Sequence, residues 1–461
     1  MDNLFYNLAR RNNPAIRDRS SPQEHSRRAS PGTTNAFAPM VWQLITTFMT
    51  INRGVLFHRL IPYFLLLCFL VASAFIYLSS QTSTPAQAAW YNTGGTWLYR
   101  KPITIDHTKV SGVASSTLSS FPVLVSVTDT QLKSTSNGGL VASSTGADIL
   151  FTKSDGTTLL DYEIESYAST TGQLIAWINI PILSAVTDTT IYEYFGNASA
   201  PAETPGNITG TWDTNYKGVW HLPNGTSLSG TDTITGGAGS LVNTPTASTG
   251  QIDGSGHFVA ASTQRITESS VSNVGFPVTI SAWVKFTTVG NMGILSHNSG
   301  SNNGYRIQVN NPSNQLSFTL GGTTDYLFSS QAAFTTGSWY YVVVTVNHDA
   351  SSGNGTAIEY LGSSGSLTNT SVSVGGLMSG TPSRINIGAA LDDGTYSFNG
   401  DIDEVHISSL VRSADWIKTE YNNQCSPSTF YAYGALGANG RQSSSGAAVP
   451  VVRVRGGVKF H

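Results

Sequence analysis

The chain has 461 residues, 39% of them apolar and 11% charged, with a formal net charge of −3. That apolar content excludes a disordered chain, and abundant Gly, Ser, Thr and Asn with few charges suit short strands joined by turns. The charge is divided: residues 1–60 carry eight arginines against three acidic groups (+5), residues 437–461 carry four basic groups (+4), and residues 61–436 are left at −12. An acidic body excludes a nucleic-acid surface, which needs a basic footprint.

Taken in order, residues 1–60 are basic and 61–79 are an uncharged apolar run from Ile61 to Ser79. About 20 apolar residues span a bilayer core, and this run lacks the polar face that a buried core helix would show. The basic flank belongs in the cytoplasm, so the rest of the chain is expected outside it. In the linker 80–96, Pro85-Ala86-Gln87-Ala88-Ala89 offers a small-x-small pattern for cleavage after Ala88. Two readings stand: a cleaved signal helix, giving a secreted protein, or a single-pass anchor at the cell surface. The two cysteines are Cys68, inside the apolar run, and Cys425, so the body has no internal disulfide.

Residues 97–200 alternate apolar and polar side chains in six runs, at 97–106, 121–127, 147–152, 161–167, 173–180 and 189–195. No long amphipathic run separates them, which predicts an antiparallel β-sandwich. Residues 201–211, with Pro201, Pro205 and Gly206, form a linker. From 212 to 436 further strands are predicted at 216–222, 278–286, 305–309, 315–320, 339–346, 357–361, 384–388 and 401–407, a second sandwich of jelly-roll type. A short helix is expected from the N-cap Ser413, with Trp416, Ile417 and Tyr421 on its apolar face. Residues 437–461 read as a flexible basic tail. The fold class is all-β: two consecutive antiparallel β-sandwiches behind one N-terminal transmembrane or signal helix.

Tyr99-Arg100-Lys101-Pro102-Ile103, Phe121-Pro122-Val123, Asp161-Tyr162-Glu163-Ile164-Glu165 and Ile191-Tyr192-Glu193-Tyr194-Phe195-Gly196-Asn197 together resemble an uncharacterised β-rich domain of bacterial and archaeal surface proteins. Gly218-Val219-Trp220-His221-Leu222, Ile280-Ser281-Ala282-Trp283-Val284 and Phe398-Asn399-Gly400-Asp401-Ile402-Asp403-Glu404-Val405-His406-Ile407 resemble a laminin-G-like, concanavalin A-like jelly roll. The resemblance implies an extracellular recognition module. It departs from the family at Phe258-Val259, where an Asp-Gly commonly follows the Phe, and that loop's ligand role is in doubt.

Three constellations could carry chemistry. Asp392, Asp393, Asp401 and Asp403 are candidate ligands for Ca2+, which takes six to eight oxygens; the alternative is ordinary turn aspartates. Asp401, Asp403 and Glu404 are a carboxylate set for a concanavalin A-like hydrolase, with strand alternation placing Asp401 and Asp403 on one face and Glu404 on the other. His221, His257, His297, His348 and His406 are scattered without the spacing of a zinc site. Trp177, Trp220, Trp283 and Trp339 alternate with polar residues and are expected in the core. The function expected is noncatalytic recognition or adhesion, with an extracellular glycan or surface protein as partner; the alternatives are a polysaccharide-active hydrolase and a structural envelope component.

Overall fold

The computed structural model describes residues 66–71, 88–113, 116–200, 206–223, 225–269, 271, 274–298, 303–321, 324–349, 351–378 and 382–439. The chain divides into two compact units, 1–86 and 87–461. In the first, a helix covers 66–71 with exposed side chains, including Cys68. The segments expected at 1–60 and in the rest of 61–79, residues 80–87 of the linker and nearly all of the tail 437–461 lie outside the described residues. Among the described residues no helix is long and apolar enough to cross a membrane.

The second unit is all-β. Strands β1 (Tyr99–Ile105), β2 (Thr117–Thr128), β3 (Leu150–Lys153), β4 (Tyr162–Ala168), β5 (Gln173–Ser184) and β6 (Thr189–Phe195) match the six expected runs. They form the antiparallel order β1-β6-β3 in one sheet and β2-β5-β4 in another. Phe121, Val123, Leu124, Ile149, Phe151, Trp177 and Ile191 are buried in this domain's apolar cluster.

The jelly roll follows with β7 (Tyr216–Trp220), β8 (Ser240–Val242), β9 (Thr246–Thr249), β10 (Gly254–Phe258), β11 (Arg265–Glu268), β12 (Val278–Phe286), β13 (Met292–Asn298), β14 (Tyr305–Asn310), β15 (Gln315–Leu320), β16 (Thr324–Leu327), β17 (Trp339–Asp349), β18 (Asn354–Ser363), β19 (Ser366–Gly375), β20 (Arg384–Ile387) and β21 (Gly400–Ser408). One sheet runs β19-β18-β17-β12-β21-β10-β9, with β7 also on β21; the other runs β16-β15-β14-β13-β20-β11-β8. A continuous apolar core lies between the two sheets.

The run Tyr340-Tyr341-Val342-Val343-Val344 in β17 is apolar on both faces because both are covered. Val342 and Val344 enter the jelly-roll core, while Tyr341 and Val343 pack with Trp283, Ile417 and Tyr421 under the helix Ala414–Cys425. Ser413 caps that helix, its hydroxyl accepting from the Trp416 N–H at 3.1 Å. The opposite side of the helix meets the first sandwich, where Trp416 packs on Phe121 at 4.7 Å between ring centroids. Burying Trp416, Ile417 and Tyr421 contributes about 1.5–3 kcal/mol each, which a short helix needs since its own hydrogen bonds are marginal.

After the helix the chain returns to the first sandwich. Strands β22 (Tyr431–Tyr433) and β23 (Gly437–Ala438) both pair with β1. A division that gives residues 212–436 wholly to the jelly roll therefore misplaces this end, whose hydrogen bonds complete the first domain's five-stranded sheet.

Candidate functional site

In the seven-stranded sheet the side-chain period of two sends Ile307, Val309, Leu316, Phe318, Leu320, Ile385 and Ile387 into the core. The alternate positions, Arg306, Gln308, Asn310, Ser317, Thr319, Arg384 and Asn386, therefore face away from it. They form a connected polar surface. Arg306 Nε donates to Gln308 Oε1 at 2.7 Å, and Gln308 Nε2 donates to Asn310 Oδ1 at 3.0 Å and Asp325 Oδ2 at 3.3 Å. Thr319 Oγ1 donates to the other oxygen of Asp325 at 2.5 Å, and Arg306 Nη2 lies 3.9 Å from that same oxygen. Burial pulls the Arg306 guanidinium below its ordinary range, and the charge of Asp325 and the Tyr396 hydroxyl oppose that shift.

The edge of this surface is open. The side chains of Asp325 and Arg384 are 40% and 44% exposed. Tyr396, in the loop between β20 and β21, is 44% exposed and held at φ +55°, with its carbonyl accepting from the Gly293 N–H at 2.6 Å. A tyrosine at positive φ is strained, and such backbone is found where surrounding structure fixes a side chain for use. Asn298, Asn303, Arg306, Thr319, Ala390 and Leu391 line a tight seam nearby, with no room for a water molecule. Larger open grooves flank the inter-sandwich segment at Thr209, Trp212 and Asp213. We favour the sheet face over these grooves because its polar groups converge, whereas Asp161 and Asn179 in the grooves are occupied in holding Asn207 and Gly210.

The four candidate calcium ligands do not meet at one point. Asp392 accepts from Asn386 Nδ2 at 2.6 Å and pairs with Arg384 at 3.4 Å, while Asp393 accepts from the Thr395 N–H in its own turn. Hydrogen bonds from the Thr395 hydroxyl and N–H hold the Asp393 carboxyl below its usual range. Asp401 pairs with Lys285 at 2.8 Å and His257 at 2.7 Å. Asp403 is buried, its Oδ2 accepting from the Gln251 and Ile252 N–H groups at 2.9 Å each.

Alternation along β21 also fails at the carboxylate set. Ser281 pairs with His406 but Trp283 with Asp403, so Glu404 and Val405 together oppose Ala282 in a bulge, with Glu404 at φ +47°. Ile402 and then Val405 and Ile407 point into the core. The extra residue thus turns Glu404 to the side of Asp403 and His406, where it bonds His221 and His406. With Asp401 paired to Lys285 and His257 and the others buried, these three do not form an open acid–base pair. Trp177, Trp220 and Trp283 are buried as expected, and Trp339 is half-buried beneath Lys285 Nζ, 4.8 Å from its ring centroid. Sequence reading missed Arg306, Gln308 and Tyr396; the alternating polar residues of β14 were the available signal.

Residues 253–418 match the family model of the concanavalin A-like lectin/glucanases superfamily, and residues 145–216 match the model of a domain of unknown function. No curated protein matches. Among solved structures, the chain is similar to domain 4 of AbnA, a GH43 extracellular arabinanase from Geobacillus stearothermophilus, in complex with arabinotriose, at 18% identity, 44% of this chain, 97% of that one and a TM-score of 0.33. It is also similar to the CBM40 of the Ruminococcus gnavus IT-sialidase bound to α2,3 sialyllactose (17% identity, 31% and 81% of the two chains, TM-score 0.25). A third likeness is to the binding domain of Paraclostridial Mosquitocidal Protein 1 (14% identity, TM-score 0.35), where the match covers 47% of this chain and about half, 52%, of that one.

Proposed function

We propose that this chain, which carries a concanavalin A-like domain behind a domain of unknown function, is an exported, noncatalytic recognition protein that binds glycan on the outer face of its seven-stranded sheet. The observation that carries this reading is the exposed Tyr396 ring beside the Arg306–Gln308–Asn310–Asp325 network. A sugar presents C–H faces that stack on an aromatic ring and hydroxyls that need fixed planar donors and acceptors, and the face offers both. The noncatalytic part rests on the pairing of Asp401 with Lys285 and His257 and on the burial of Asp403 and Glu404.

The test is a glycan array probed with the full chain in detergent, with and without added calcium. Binding to a defined oligosaccharide that is weakened by Tyr396→Ala supports the proposal. A folded protein that binds no glycan overturns it in favour of protein adhesion, and glycan cleavage by the same preparation overturns the noncatalytic part.

A further inference from the structure

Where the two sandwiches meet, β4, the end of β7, β21 and the helix Ala414–Cys425 enclose a buried group of ionisable side chains. Three of them, His221, Glu404 and His406, are arranged around one point, and Glu165 lies beside His221. Glu404 Oε2 lies 3.0 Å from His221 Nδ1 and 2.9 Å from His406 Nε2, and Glu165 Oε2 lies 3.6 Å from the same His221 Nδ1. Ligand atoms of His221, Glu404 and His406 all lie within 4.8 Å of one another. A tetrahedral ion bound at about 2.0–2.1 Å to N and O ligands separates them by about 3.3 Å, against 3.0 Å for Glu404–His221, 2.9 Å for Glu404–His406 and 3.6 Å for Glu165–His221.

The surroundings point the same way. His406 turns its other nitrogen, Nδ1, to Glu420 Oε1 at 3.3 Å, and His221 turns Nε2 to Glu163 Oε2 at 3.4 Å. His406 thus has the carboxylate backing that fixes the tautomer of a metal-bound histidine, while His221 Nε2 only approaches a carboxylate without a hydrogen bond. The carboxylates are themselves held: Trp212 Nε1 donates to Glu163 Oε2 and Trp177 Nε1 to Glu165 Oε2, each at 2.9 Å. Glu165 Oε1 is buried with no hydrogen-bond partner, on a side chain only 1% exposed. Glu165 and Glu404 are each the extra residue of a β-bulge, in β4 and β21, so two ladders are interrupted to aim carboxylates at this point.

Carboxylates outnumber imidazoles in this cluster. Glu163, Glu165, Asp403, Glu404 and Glu420 surround two imidazoles, and the nearby Arg412 is already paired with Asp213 at 2.5 and 2.9 Å. Burying carboxylates without a counter-charge is costly.

We propose that His221, His406, Glu404 and Glu165 bind one divalent transition-metal ion of zinc type, joining the two sandwiches. The ligand set is two nitrogens and two oxygens, and it is closed to solvent, as in a structural rather than a catalytic centre. Glu165 comes from the first sandwich and the other three from the jelly roll, so the ion staples two domains that have no disulfide available. This inference is independent of the glycan-binding reading.

The test uses the full chain, stripped of metal under denaturing conditions and refolded with Zn2+ or Co2+. One equivalent of tightly held metal is expected, with the intense visible bands of tetrahedral Co2+. Glu165→Gln is expected to lower metal affinity at least ~10-fold, and Glu420→Gln by ~10-fold through the His406 ring. Asp188→Asn, which breaks the exposed Asp106–His107–Asp188 group, is expected to leave the bound metal unchanged. Refolded protein with a native circular dichroism spectrum but no stoichiometric metal overturns the proposal. So does bound Co2+ with an octahedral spectrum, or metal lost in Asp188→Asn but kept in Glu165→Gln. If the variants do not fold, the wild-type stoichiometry and cobalt spectrum decide.

Discussion

Asn423 takes up both hydrogen-bonding groups of Leu124: its Oδ1 accepts from the Leu124 N–H at 2.7 Å and its Nδ2 donates to the Leu124 carbonyl at 2.9 Å. The amide mimics one rung of a neighbouring strand. It closes the free edge of β2 with a side chain from the helix that also covers the jelly roll. Asn423→Ala leaves a buried N–H and a buried C=O unpaired, at a cost of about 2–4 kcal/mol. Urea unfolding of the variant measures it, and a loss below about 1 kcal/mol would mean that water replaces the amide.

Glu193 couples the end of the chain to pH. It is fully buried in β6, accepts from the Tyr433 hydroxyl, and has its carboxyl pushed up to about 7 by burial, against the pull of Tyr433 and Lys101. The folded state then holds a proton that the unfolded chain has lost between pH 4.5 and 7. Stability from this group therefore falls as pH rises through that window, by about 1.4 kcal/mol per unit. Glu193→Gln should flatten this slope in thermal melts run from pH 5 to 8; an unchanged slope would assign the pH dependence to other groups.

Glu359 is a stronger case of the same sign. In β18 it shares the parity of Ala357 and Leu361, which enter the jelly-roll core, and neither of its oxygens has a hydrogen-bond partner. Burial alone pushes its carboxyl up to about 8. Ionisation above that pH places a lone charge in the core, so Glu359→Met should stabilise the protein at pH 9 by ~1–4 kcal/mol and by less at pH 6. Equal effects at the two pH values would show that the carboxylate reaches solvent.

Tyr396→Ala removes the exposed ring without touching the core. It should weaken glycan binding about 10-fold, or ~1.4 kcal/mol, with an unchanged melting temperature. A melting temperature that falls together with affinity would mark the ring as a support for its loop. Calorimetric titration with the array-selected oligosaccharide distinguishes these outcomes.

Alternation made the six strands of the first sandwich and β7, β12, β14, β15, β17, β18, β20 and β21 of the jelly roll legible, though not the central β13, because a half-buried strand must repeat every two residues. Ser413 and the spacing of Trp416, Ile417 and Tyr421 likewise gave the helix, since a cap and one apolar stripe are local properties. The edge strand β19 was missed because its side chains are largely solvent-facing and polar, so its pattern carries little hydrophobic signal.

The sequence by itself determined that this is an all-β chain with two successive sandwiches and a covering helix. Only the tertiary structure decided which polar residues meet. A bulge shifts the phase of every residue beyond it, so the side to which Glu404 turns depends on how β21 pairs with β12. His221 and Glu404 are 183 residues apart, and no spacing rule spans that distance. They come together because β7 lies on β21, and Glu165 joins them because the helix and the returning strands hold the first sandwich against that sheet.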